Sequence, residues 1–315
     1  MKIVILDGHA LNPGDLSWEW LKEFGSYTYY DRTHGEDLII QRIGDADIIL
    51  LNKTPITEAV LQACPNLKLI CVLATGYNVV DCAAAAKRGI PVCNVPGYGT
   101  NAVAQFTFAL LLEICNHIGL HTDSVHNGEW TACPDFCYWK TPQMELYGKT
   151  LGIIGYGTIG KAVGRIAEAM GMQVLKYSRT HHEGIDYVDL ETLLRRSDVV
   201  TLHAPLFPET RHIINAETLA MMKDGAILLN TARGPLIDES AVADALRSGK
   251  LRGAGVDVVD FEPIPATSPL LSAPNCIITP HMAWAPLEAR QRILDITAES
   301  IRAFLSGQRK NAVNL

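Results

Sequence analysis

Long hydrophobic runs are missing from this chain. Its most apolar stretch, Phe106 to Leu112, is bracketed by Gln105 and Glu113 and falls far short of the ~20 residues that a helix needs to span a bilayer. A transmembrane helix is excluded. Positive charge is also short: 27 Lys and Arg against 34 Asp and Glu leave a formal charge of −7, so no electropositive footprint favours a nucleic acid or an anionic membrane as partner. Met1-Lys2 runs directly into Ile3-Val4-Ile5-Leu6-Asp7, without the apolar stretch and small-residue cleavage site of a secretory signal. A cytoplasmic protein is expected. The eight cysteines include no C-x-x-C pair, and those inside apolar runs act as small hydrophobes, so reduced, structural thiols are expected. Cys133 and Cys137 lack a second ligand pair nearby, and no metal is expected. No fixed-period repeat and no low-complexity tract is visible.

What is present is the material for about two compact domains: 315 residues, 48% of them hydrophobic, against roughly 100 to 200 residues per domain. Short apolar runs alternate with helical patterns. The runs are Lys2 to Asp7, Asp47 to Leu51, Lys68 to Leu73, Leu151 to Ile154, Gln173 to Tyr177, Asp198 to Leu202, Ala226 to Asn230, Gly253 to Val258 and Cys276 to Thr279. Alternation of this kind predicts an α/β fold with two doubly wound parallel-sheet domains, and the near-continuous apolar character of each run fits strands covered on both faces. A boundary is expected at the chain breakers Asn94-Val95-Pro96-Gly97-Tyr98-Gly99, followed by a long helix from Asn101 to about His117. Asn127 to Tyr147 reads as an ordered loop, and Leu287 to Leu305 as a final helix.

Leu151-Gly152-Ile153-Ile154-Gly155-Tyr156-Gly157-Thr158-Ile159-Gly160 places G-x-G-x-x-G between a strand and a helix. In that context Gly155 turns the chain, Gly157 lets the backbone approach a pyrophosphate and Gly160 permits close helix packing. Free N–H groups at the helix start, from Thr158 and Ile159 onward, then hold the anion. A nicotinamide dinucleotide is the expected cofactor. The next strand ends Tyr177-Ser178-Arg179-Thr180, with Ser178 where NAD-type sites carry an acid and Arg179 able to pair with a 2′-phosphate. NADP is therefore favoured over NAD.

Three ionisable residues follow successive predicted strands: Arg233 after Leu228 to Ala232, Glu262 after Gly255 to Phe261, and His281 after Ile277 to Pro280. Open α/β sheets bind their ligands at those carboxyl ends. A histidine to deliver a proton, a carboxylate to hold its ring and an arginine fork to bind a carboxylate suit the reduction of a 2-keto acid.

With these motifs the chain resembles the D-isomer-specific 2-hydroxyacid dehydrogenase family, closest to its glycerate dehydrogenase (hydroxypyruvate reductase) branch. The likeness rests on Ala74-Thr75-Gly76-Tyr77-Asn78-Val79-Val80-Asp81, Asn94 to Thr100, the glycine fingerprint, His203-Ala204-Pro205, Asn230-Thr231-Ala232-Arg233-Gly234, Gly255-Val256-Asp257 with Glu262-Pro263, and Pro280 to Ala285. The resemblance implies a Rossmann nucleotide-binding domain over residues 99–286. It also implies a smaller, discontinuous, flavodoxin-like substrate domain over 1–98 plus about 287–315. Arg233, Glu262 and His281 would form the catalytic triad. Thr75 and Gly76 would offer N–H groups to the substrate carboxylate, with Lys53 and Arg233 also binding substrate. His203, Pro205, Thr231 and Ala232 would line the cofactor site, and Asp257 would hold the nicotinamide amide. The implied substrates are hydroxypyruvate/glycerate or glyoxylate/glycolate, and the implied assembly is a homodimer using the helix from Asn101 and the 127–147 loop. Gln105 departs from the family, where an acid is frequent after Val-Ala. The alternatives are a 3-phosphoglycerate dehydrogenase-like enzyme and a non-catalytic, NAD(H)-sensing corepressor-like module. The intact Arg233, Glu262 and His281 set argues for the enzyme.

Overall fold

A computed structural model describes all residues, 1–315. The chain divides into two compact units, Met1–Gly99 with Ala285–Leu315 and Thr100–Trp284. Unit 1 begins with β1 (Lys2–Ile5), β2 (Ser26–Tyr29), α1 (Glu36–Ile43), β3 (Ile48–Leu51), α2 (Glu58–Ala63), β4 (Leu69–Val72), α3 (Cys82–Lys87) and β5 (Val92–Cys93). Unit 2 carries α4 (Thr100–Asn116), α5 (Ile118–His126), β6 (Thr150–Ile154), α6 (Thr158–Ala169), β7 (Gln173–Tyr177) and α7 (Leu190–Arg196). It continues through β8 (Val199–Leu202), α8 (Ala216–Met221), β9 (Ala226–Asn230), α9 (Glu239–Arg247), β10 (Leu251–Val256) and β11 (Cys276–Ile278). The last helix, α10 (Leu287–Leu305), belongs to unit 1.

The unit 1 sheet is ordered β2-β1-β3-β4-β5, and each adjacent pair runs parallel. This is the flavodoxin-like order, with its switch point between β1 and β3. Every residue of β3 and β4 is buried, which explains their uninterrupted Ile, Leu and Val. The apolar spacing did not reveal β2 or β5. Ser-Tyr-Thr-Tyr in β2 alternates exposed with half-buried positions at the sheet edge, and β5 is only two residues long after Pro91. Thr57 and Asp81 cap α2 and α3 by accepting backbone N–H bonds, so turn chemistry and helix starts agree. Arg290 of α10, 8% exposed, forks onto Asp15 at 2.7 and 2.6 Å and donates to the Leu11 carbonyl at 2.9 Å. That arrangement satisfies a buried guanidinium.

The unit 2 sheet is ordered β11-β10-β9-β8-β6-β7, again wholly parallel. One apolar layer gathers residues of α7, α8 and α9, the other those of α4 and α6, so both faces are covered and the Rossmann-type expectation is met. The third strand of the usual nucleotide-binding order is vestigial, since Val188 donates to the Lys176 carbonyl beside β7 without forming a strand. Gly253 of β10 allows α4 to lie close, because a Cβ there would meet Ile114 at 2.7 Å. Residues 127–147 contain turns but neither helix nor strand. No single helix is long and apolar enough to cross a membrane. All eight cysteines are free thiols, and no cluster of His, Cys, Asp or Glu is arranged to hold a metal.

Candidate active site

The glycine loop lies at the carboxyl end of β6, where the chain leaves toward β7 on one side and β8 on the other. Gly155 has φ +95, and a Cβ there would sit 2.5 Å from the Ala204 nitrogen. At Gly160 a Cβ would sit 2.3 Å from the Gly155 carbonyl oxygen. Both positions exclude a side chain. The direction in which Gly157 would carry a Cβ is open, with nothing within 4 Å. Asp189, Asn215 and Asp238 cap α7, α8 and α9 with their side chains, whereas Gly157 offers α6 no capping side chain. The backbone N–H groups of Thr158, Ile159 and Gly160 accordingly have no acceptor in the protein. An open approach over unsatisfied helix N–H groups fits a dinucleotide pyrophosphate.

Ser178 and Arg179 follow β7. Ser178 is half-buried, Arg179 exposed, and the Arg179 guanidinium lies 4.4 Å from the centre of the Phe207 ring. Stacking of this kind holds a cation in place without a carboxylate partner. His203 follows β8 and shares a hydrogen bond with the Thr201 hydroxyl at 3.0 Å. Its surface is only half-covered, yet the protein packed around the ring removes solvation from the charged form and pulls its pKa down to about 3, so His203 is neutral at physiological pH. Pro205 next to it is exposed and Ala232 half-buried. Thr231 is 8% exposed and its hydroxyl pairs with that of Thr107 in α4 at 3.1 Å.

Arg233, Glu262 and His281 stand beyond β9, β10 and β11, three neighbouring strands. His281 Nδ1 and Glu262 Oε2 are 2.7 Å apart, so the carboxylate accepts the Nδ1 proton and turns Nε2 to the opposite side of the ring. His281 adopts a left-handed backbone, φ 52, uncommon for a residue with a Cβ. The surroundings impose it: the His281 N–H donates to the Asp257 carbonyl at 2.8 Å, and Trp284 Nε1 donates to the His281 carbonyl at 2.8 Å.

Asp257, implied to hold a nicotinamide amide, is also tied within the protein. It is 1% exposed, and its carboxylate accepts the Thr279 hydroxyl at 2.6 Å and the N–H groups of Met282 and Ala283 at 2.9 Å each. One buried charge thereby fixes the turn that carries His281.

Arg233 is exposed and its Nη1 donates to the Ala232 carbonyl. Its turn is shaped by Asn230, wholly buried, which donates to the Arg233 carbonyl at 2.8 Å and accepts from the Ala232 N–H at 3.1 Å. A Cβ on Gly234 would sit 1.9 Å from the Val259 carbonyl carbon, so only glycine lets the Arg233 turn rest on the backbone leading to Glu262. Glu239 of α9 steadies the same segment by accepting from the Asp260 N–H and the Ser268 hydroxyl, both at 2.8 Å. Asn230 and Glu239 escaped sequence reasoning. An Asn closing an apolar strand hinted at the first, and the second relies on a contact 21 residues away.

In unit 1, Lys53 is exposed past the end of β3, and Thr75 and Gly76 lie past the end of β4. The Thr75 hydroxyl donates to the Val95 carbonyl at 2.8 Å, while the backbone N–H groups of Thr75 and Gly76 have no acceptor within the protein.

Comparison with known proteins agrees with this geometry. Residues 108–283 match a sequence model of the D-isomer specific 2-hydroxyacid dehydrogenase NAD binding domain. The chain belongs to the D-isomer specific 2-hydroxyacid dehydrogenase family. It is 54% identical to a hydroxypyruvate reductase from Blautia hydrogenotrophica, over 100% of both chains. A glycerate dehydrogenase from Methylorubrum extorquens is 42% identical over 99% of this chain and 98% of its own. The crystal structure of the TT0316 protein from Thermus thermophilus superimposes with a TM-score of 0.86 at 36% identity, covering 99% of this chain and 100% of that one. As a member of this dehydrogenase family the protein is an oxidoreductase acting on CH-OH donors with a nicotinamide cofactor.

Proposed function

We propose that this dehydrogenase reduces small 2-keto acids, hydroxypyruvate first, to D-glycerate, and glyoxylate next, to glycolate. The His281–Glu262 pair at 2.7 Å carries the reading, supported by the 54% identical hydroxypyruvate reductase. The bound nicotinamide supplies the hydride. As negative charge builds on the carbonyl oxygen, His281 delivers a proton from Nε2 and keeps the one on Nδ1, whose hydrogen bond to Glu262 holds the ring's orientation. Arg233 pairs with the substrate carboxylate and polarises the carbonyl. Within unit 1, the unsatisfied N–H groups of Thr75 and Gly76, with the exposed Lys53, form a set of donors suited to a carboxylate.

NADPH is the proposed preferred cofactor. Ser178 removes the carboxylate that would repel a 2′-phosphate, and Arg179, stacked on Phe207, offers a charge-assisted contact worth about 1.5–3 kcal/mol, or roughly ten- to a hundredfold in affinity. A panel of 2-keto acids assayed with NADH and NADPH tests both readings. Hydroxypyruvate is expected to give the highest kcat/KM, Ser178→Asp to shift selectivity toward NADH, and Arg179→Ala to weaken NADPH more than NADH. A wild-type enzyme that favours NADH about tenfold, with Arg179→Ala impairing neither cofactor, contradicts the phosphate site. Free thiols throughout fit a cytoplasmic location, which we also propose.

A further inference from the structure

Among the strand ends of unit 1, one carboxylate does more than its surroundings require. Past β1, Leu6 still pairs with the neighbouring strand by donating to the Leu50 carbonyl at 2.9 Å. The next residue, Asp7, is thereby set level with the turn that follows β3. Its Oδ1 accepts the Asn52 N–H at 2.7 Å, and its Oδ2 accepts the N–H groups of Lys53 at 2.6 Å and Thr54 at 2.8 Å. Three successive backbone donors closing on one anion form a concavity that holds the turn in a single conformation. The carboxylate is engaged with backbone, and the Lys53 ammonium pairs with no acid of the chain. Asp7 thus aims the lysine without neutralising it.

The same turn reaches the loop that carries Thr75 and Gly76. Asn52, 7% exposed, donates to the Leu73 carbonyl at 3.1 Å, directly before Ala74-Thr75-Gly76. Asn94 donates to the Thr75 carbonyl at 2.7 Å from the far side.

We propose that Asp7 is a positioning residue for substrate: it fixes the turn that presents Lys53 to the carboxylate of the 2-keto acid. The proposal rests on the reading of Lys53 as a substrate ligand. Asparagine at position 7 loses one of the two anionic oxygens and turns a donor toward backbone N–H groups, so the turn is released while the strand that precedes it is kept.

Steady-state reduction of hydroxypyruvate with NADPH, in Asp7→Asn, Lys53→Ala and the double variant, tests this. Asp7→Asn is expected to raise KM for hydroxypyruvate about tenfold, the scale of a lost charge-assisted contact. Its kcat is expected to stay within about threefold of wild type and its KM for NADPH within about twofold, differences below one hydrogen bond's worth. In the Lys53→Ala background, Asp7→Asn is expected to add less than about twofold to KM, because coupled residues are not additive. A rise with Lys53→Ala but none with Asp7→Asn overturns the positioning role and leaves the Lys53 reading intact. No rise with Lys53→Ala overturns that reading and the proposal with it. Fully additive effects also overturn the proposal, since Asp7 then acts elsewhere. If Asp7→Asn fails to fold, Asp7→Glu keeps the charge and displaces the oxygens by one methylene, with the same selective rise in hydroxypyruvate KM expected and an unchanged KM contradicting it.

Discussion

Single residues in this protein are constrained mainly by what surrounds their polar atoms. His203 shows it through pH. Burial lowers its pKa from 6.5 to about 3, so the folded chain resists a proton that the unfolded chain binds from about pH 6.5 downward. The stabilisation from the neutral ring is fully present above pH 6.5 and is lost progressively as the pH falls toward 3. Asp47 and Asp198, whose carboxyls are held below the usual range by Lys68 and by the Thr150 N–H and Lys223 against the opposing effect of burial, add to acid sensitivity only at lower pH. Thermal melts between pH 7.5 and 5.5, run on wild type and His203→Gln side by side, test the histidine: the substitution is expected to flatten the fall in Tm over that window. A slope equal to wild type would place the acid sensitivity elsewhere.

Elements add a second kind of constraint, visible where α6 meets β6. Gly155 and Gly157 look alike in the motif, yet the first is crowded by the Ala204 backbone at positive φ and the second faces open space. Gly155→Ala is expected to lower Tm by several degrees, as strain and overpacking of about 1–3 kcal/mol would do. Gly157→Ala is expected to leave Tm nearly unchanged and to weaken nicotinamide cofactor binding by tenfold or more, about the loss of one charge-assisted contact. Isothermal titration and melting curves on the two variants distinguish the roles, and equal loss of stability in both would contradict this assignment. Apolar periodicity exposed the buried strands such as β3, β8 and β9 because burial on both faces leaves little freedom of residue type. It hid β2, whose edge position tolerates Ser and Thr, and β5, too short to show a pattern. The carboxyl-end residues Arg233, Glu262 and His281 were legible from their places after strands. Asp7, Asn230 and Glu239 were not, because their partners are backbone groups of remote segments that no local spacing encodes.

At the scale of the whole molecule, apolar surface points to association. Trp130, Phe136, Trp139 and Tyr147 of the 127–147 segment are all more than half exposed, with Ile118 of α5 beside them in sequence at 59%. Large aromatic groups concentrated in one stretch are unfavourable in water and typical of interface cores. We propose a homodimer through the helix from Asn101 and this segment, with α5 between them in the chain. Light scattering should give about twice the 34.4 kDa chain mass, and Phe136→Asp with Trp139→Ser should shift the particle toward the monomer; a wild-type monomer at micromolar concentration contradicts the proposal. The central claim, proton delivery by His281 to a 2-keto acid, is tested most directly by one measurement: kcat for hydroxypyruvate reduction by His281→Ala at saturating NADPH. General-acid loss predicts a fall of about 10²–10⁴-fold with cofactor affinity within a few fold of wild type, whereas retention of more than about a tenth of wild-type turnover would contradict that role.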